Sequence, residues 1–163
     1  MLRMTKQADY GIVLLSFMAG SPAARYTAPD LAVATHLPLP MVSKILKILG
    51  RGGLLISHRG AKGGYSLAEA PRDISVARMI TALDGPIAFT ECSDDGSPGL
   101  CSQEAGCQIR HTWRRINVAV KDALEAITLA ELAAPSSAGQ LVQLSGRLFP
   151  QASQLGAASL EPQ

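Results

Sequence analysis

Aromatic residues are scarce in this chain of 163 residues, at 4% of the total. A core must therefore come from Ala, Leu, Ile and Val, and the 47% hydrophobic content is enough to supply one. Cysteine is scarce as well: there are three, an odd number, all confined to one stretch. In a reducing compartment, that argues against a disulfide framework and toward metal or redox chemistry. No long apolar run follows the opening MLRMTKQADYG, so it does not read as a secretory signal, and Ile12–Ala19 is far too short to span a bilayer. The expectation is a cytoplasmic protein with no membrane partner. No nucleophile and base occur together in a pocket motif, so the chain is not read as an enzyme.

Charge is modest at 17%, with a net value of only +2, but it is unevenly placed. Between Met1 and Ser66 eight Lys and Arg residues face two Asp, a local excess of +6 that leaves −4 for the remainder. A basic half joined to an acidic half suggests that the first half meets a polyanion.

Thr5 is a natural cap for a helix running to about Ala19, with Tyr10, Val13, Leu14, Phe17 and Met18 as its apolar face. Asp9 lies in its first turn, where a carboxylate is favoured by the helix dipole. A second, short helix is expected over Tyr26–Leu37, opened by the capping sequence Thr27-Ala-Pro-Asp30. Pro40 opens a third, whose Val42, Ile45, Leu46 and Leu49 form one stripe while Met41, Ser43, Lys44, Lys47 and Arg51 take the other face. Such a pair is a helix-turn-helix, with the second helix polar and basic outward for a major groove. Two short strands, Leu54–His58 and Tyr65–Leu67, then flank Arg59-Gly-Ala-Lys-Gly-Gly64 and read as a DNA-gripping wing. Arg59 suits a minor groove, and Lys44, Lys47 and Lys62 suit phosphates.

The expected organisation is a winged helix-turn-helix domain over residues 1–70, then a connecting helix and cysteine loop over 71–107. A helix over 108–134 and a disordered tail over 135–163 complete it. Ser75 caps the connecting helix. On the helix after the loop, Trp113, Ile116, Val120, Ala123 and Ile127 form a seam suited to dimerisation.

The loop itself carries Cys92, Cys101 and Cys107, with His111 shortly after, in the pattern C-x8-C-x5-C-x3-H. A Gly/Asp/Ser-rich segment is not where buried structural cysteines belong. Three thiolates and one further donor can hold zinc or an iron–sulfur cluster, and exposed thiols can also switch by oxidation. The long gaps lack the close Cys pair of zinc knuckles and favour a cluster.

The chain resembles the winged-helix iron–sulfur regulators of the IscR and NsrR type. The motifs are LRMTKQADYGIVLL, LPLPMVSKILKILGRGGLLISHRGAKGGYSL, ISVARMI, the three-cysteine loop, WRRIN and AITLAEL, together spanning about Met1 to Leu132. It is most similar to the branch that represses SUF cluster-assembly genes. The resemblance implies a mainly α fold with a two-stranded wing and a homodimer of crossed long helices on a palindromic double-stranded operator. It implies cluster ligation by Cys92, Cys101 and Cys107, with [2Fe-2S] expected and [4Fe-4S] the alternative. The fourth ligand varies in such proteins. Here Arg110 stands where the IscR type has its His, while Asp9 matches the NsrR-type ligand. Asp9 is therefore preferred to His111, with Glu104 as a third choice. Pro40, Met41, Ser43, Lys44 and Arg59 match DNA-contacting positions, Ser43 replacing a Glu of the IscR type. Alternatives are a nitric-oxide or redox sensor of the same architecture, and a zinc-stabilised DNA-binding or interaction module.

Overall fold

The computed structural model describes residues 4–60, 63–90 and 107–134. The expected tail over 135–163, Cys92, Cys101, Glu104 and Lys62 lie outside them.

Helix α1 (Lys6–Ala19) is capped by the Thr5 hydroxyl, which accepts the Ala8 N–H. Its buried residues are Ala8, Gly11, Leu14, Leu15 and Met18. That corrects the expected face: Val13 and Phe17 remain 42% and 41% exposed. The reason lies in the neighbours. A Cβ on Gly11 would stand 2.5 Å from Leu83 Cδ1, so the smallest residue of α1 faces its closest approach to a later helix. The inward stripe turns with it, and Phe17 instead meets Tyr26 edge-on with ring centroids 5.6 Å apart.

Helix α2 (Ala28–Thr35) begins with a complete capping box. Asp30 N–H donates to the Thr27 hydroxyl (3.3 Å), and Thr27 N–H donates to Asp30 Oδ2 (3.1 Å). Tyr26, expected inside the helix, is extended because its N–H and C=O are both bonded to Tyr65. His36, in the left-handed conformation at φ 56°, ends α2. Helix α3 (Leu39–Arg51) follows at 118° to α2, within the range of helix-turn-helix pairs. Val42, Ile45, Leu46 and Leu49 are all fully buried, as the spacing predicts.

Strands β1 (Leu55–His58) and β2 (Gly64–Leu67) pair antiparallel, from Leu55 opposite Leu67 to His58 opposite Gly64. The expected linker contains a 3-10 turn over Pro71–Asp73, then Ser75 caps α4 (Val76–Asp84) through the Arg78 N–H. Asp84 reaches back to the start of α1, where Oδ1 accepts the Thr5 hydroxyl at 2.6 Å.

The single helix expected over 108–134 is two: α5 (Arg110–Glu125) and α6 (Leu129–Ala133). Thr128 breaks it by capping α6 in a second box with Glu131. The backbone on either side is taken by another segment: Val76 N–H donates to Ile127 O (2.9 Å) and Leu129 N–H to Ile74 O (2.8 Å). With Leu129 fully buried, α6 packs on α1 inside the same core as the helix-turn-helix. The described residues are thus mostly helical with one two-stranded antiparallel sheet.

Candidate nucleic-acid interface and metal ligands

The core stripe of α3 fixes what faces outward. Pro40, Lys44, Lys47 and Arg51 are exposed, while Met41 and Ser43 are half-buried on the flanks. No acidic residue lies in the first turn of α3, and Arg51 sits in its last turn. Ion pairs among the described residues join Arg72 to Asp73 and Arg78 to Glu69, so the cations of α3 and Arg59 stand clear of any carboxylate there.

Arg59 is exposed directly after β1. The wing that carries it is more firmly tied than a free hairpin. Tyr65 N–H donates to Tyr26 O (2.8 Å) and Tyr26 N–H to Tyr65 O (2.9 Å), an isolated antiparallel bridge from the approach to α2. Gly64 makes this contact possible: it has φ 144°, and a Cβ there would lie 2.7 Å from Tyr26 O. Across the sheet, His58 Nε2 and Ser66 Oγ are 2.9 Å apart. Sequence reasoning missed the Tyr26–Tyr65 link; the adjacent glycines before Tyr65 were its one signal.

Two exposed carboxylates beyond this face have perturbed pKa values. The Thr27 hydroxyl and backbone hold the Asp30 carboxyl below the usual carboxylate range. Glu69 is likewise held low by the hydrogen bond from Arg78, whose own pKa is raised by the same contact.

Of the metal-ligand candidates, Cys107 is a half-buried free thiol, and its carbonyl accepts the Arg110 N–H (3.3 Å) at the start of α5. His111 is exposed in the first turn of α5, one residue past half-buried Arg110. Asp9 is exposed in the first turn of α1. Helix α1 packs chiefly on α3, α4 and α6, and α5 on α4, so the described residues of one chain do not gather Asp9, Cys107 and His111. No group of three or more His, Cys, Asp or Glu among the described residues converges as a metal site. The donor types themselves suit iron or zinc: a thiolate with an imidazole or carboxylate in reserve.

Next to this region is a buried polar residue that the sequence did not announce. Asn117, 7% exposed, accepts the Phe89 N–H at 3.2 Å through Oδ1. It ties the middle of α5 to the chain leaving α4, while Ile127 and Leu129, at the junction of α5 and α6, bond to the chain entering α4.

The profile of a family described as Rrf2, iron-dependent transcriptional regulator, matches residues 4–135. An rrf2-like HTH-type transcriptional regulator of Rhodobacter capsulatus is 33% identical over 149 residues, covering 86% of this chain and 99% of its own. Among solved structures, CymR, the global cysteine regulator of B. subtilis, superimposes with a TM-score of 0.63 at 27% identity, over 84% of this chain and 100% of that one. IscR of T. potens gives a TM-score of 0.62 at 25% identity, over 85% and 91%.

Proposed function

The chain belongs to the Rrf2 family of DNA-binding transcriptional regulators, and from that premise we propose that it is a homodimeric repressor of SUF iron–sulfur assembly genes. Its family and relatives are regulators, so the chain is not an enzyme. The observation that carries the DNA-binding part is the exposed, carboxylate-free basic face of α3, together with the exposed Arg59 at the end of β1. Pro40, Met41 and Ser43 are the proposed base-reading residues, since base edges are read from the first turns of such a helix. Lys44, Lys47 and Lys62 are the proposed phosphate contacts, and Arg59 enters the minor groove.

Dimerisation is supported by the seam of α5, where Ile116 is 39% exposed, Trp113, Val120 and Ala123 are half-buried, and the one fully buried residue of the helix is Asn117. Two such helices would cover each other and set two copies of α3 on a palindromic operator.

Cys92, Cys101 and Cys107 are the proposed cluster ligands, with Asp9 of the second copy preferred to His111 or Glu104 as the fourth. The exposure of Asp9 on α1 leaves it accessible to a second copy. A bound [2Fe-2S] cluster, or [4Fe-4S] in the alternative, supplies a centre that responds to oxidation and iron supply. What the chain's own residues contribute is the connection. The Cys107 carbonyl accepts the Arg110 N–H at the start of α5, and the Asn117–Phe89 bond ties α5 to the chain after α4. The Ile127–Val76 bond ties the α5–α6 connection to the start of α4, and α4 packs on α3.

The test is the iron, sulfide and zinc content of protein purified without oxygen, followed by operator affinity before and after oxidation. About two iron and two sulfide per chain, with affinity that changes on oxidation, is the expected result. Stoichiometric zinc and an affinity indifferent to oxidation would replace the sensor by a structural clip.

A further inference from the structure

Helix α3 leaves one large aliphatic side chain in water. Val42, Ile45, Leu46 and Leu49 are fully buried, but Leu39, the first residue of the helix, is 44% exposed. It is held in place by its neighbours. Pro38 is the N-cap at φ −60° and Pro40 follows, so both flanking φ angles are fixed by rings. Leu39 is thus an apolar group presented with little backbone freedom at the end of the proposed reading helix.

Its direction places it at the border of the buried stripe, about 20° round from Leu46, on the side toward Ser43 rather than Met41. At about 100° per residue, Ser43 lies one turn on and only about 40° round from Leu39. Lys44 and Lys47 continue outward from there, exposed and without a carboxylate partner among the described residues. A surface that combines these cations with a rigid apolar end is complementary to a major groove that offers an apolar group. In B-DNA that group is the C5 methyl of thymine.

We infer that Leu39 is a specificity residue that packs on a thymine methyl in each operator half-site, with the Ser43 hydroxyl on the neighbouring base edge. The inference rests on the operator binding proposed above and adds the base that one side chain selects.

The experiment uses the full chain and duplexes it enriches from a random pool. Each thymine of the enriched site is replaced in turn by deoxyuridine, which removes the methyl and leaves every hydrogen-bonding group. At one position per half-site the wild-type protein should lose about fourfold in affinity per methyl. Leu39→Ala should bind the parent duplex more weakly and be indifferent to the same replacement, because the two changes delete one contact. Leu39→Met, which keeps an apolar side chain, should retain the discrimination, so the result does not depend on one variant folding. A deoxyuridine profile identical in wild type and Leu39→Ala would overturn the assignment while leaving operator binding intact. Enrichment of no duplex at all would overturn operator binding, and this inference with it.

Discussion

Helices α3 and α5 are of similar length, 13 and 16 residues, yet they spend their apolar side chains differently. In α3 four aliphatic side chains are fully buried within the chain. In α5 none is: Trp113, Val120, Ala123 and Leu124 are half-buried, Ile116 and Val118 exposed, and Asn117 alone reaches the interior. The first helix is covered by its own chain, while the second leaves apolar side chains uncovered by the other described residues. If the proposed dimer forms through α5, the chain separates a reading helix fixed by its own core from a helix that the second copy completes.

Removing a core side chain gives the largest expected effect. Leu46→Ala should lower unfolding free energy by about 2–5 kcal/mol, read from urea denaturation, because the cavity cannot be refilled. The wing is next. Gly64→Ala forces a Cβ toward Tyr26 O at an unfavourable φ, and should cost about 1–3 kcal/mol while weakening operator binding through the displaced wing. Normal operator affinity in a folded Gly64→Ala protein would remove the wing's anchorage from the account.

Ile116→Lys probes the other side of the contrast. It should leave secondary structure intact and shift stability of the single chain by no more than about 0.5 kcal/mol. Its effect belongs in sedimentation, where the variant should dissociate at concentrations at which the parent remains a dimer. Unchanged association would move the dimer interface away from this face of α5.

The smallest effect is in acid. Asp30 and Glu69 have pKa values below their ordinary ones, lowered respectively by Thr27 and Arg78. Their stabilisation is present above the unfolded carboxylate range of about pH 4, and is lost as pH falls through the lower folded values. Both groups are exposed, so the change should be slight: a fall in Tm in acid that is reduced in Glu69→Gln.

Much of the fold is legible because its signals are local. Thr5, Thr27 and Ser75 cap the helices assigned to them, and the stripe of α3 is buried as its spacing requires. What escaped depends on partners distant in the chain. The inward face of α1 is set by Leu83 opposite Gly11, not by the apolar residues of α1 alone. Tyr26 pairs with Tyr65 and Ser75 with Thr128 through backbone atoms, which no side-chain pattern reports. One local signal was present and unread: Thr128-Leu-Ala-Glu131 has the spacing of a capping box, and it divides α5 from α6. For the candidate site, the exposed faces of α3 and the end of β1 follow the sequence, whereas nothing in the sequence placed Asn117 in the interior.

The docking of Leu129 and its neighbours beside Ile74 has a consequence for how such a chain can diversify. The DNA-reading unit is discontinuous: it opens at the N-terminus, is interrupted after α4, and is completed by α6 once α5 has returned. The cysteine segment and α5 are therefore an insertion within one domain, not an appendage hung from its end. A fragment ending at Asp84 would lack Leu129 in its core, so cutting the protein after α4 would damage the helix-turn-helix unit. An insertion bounded at both ends can exchange its chemistry, one set of ligands for another, while the frame that receives it stays the same.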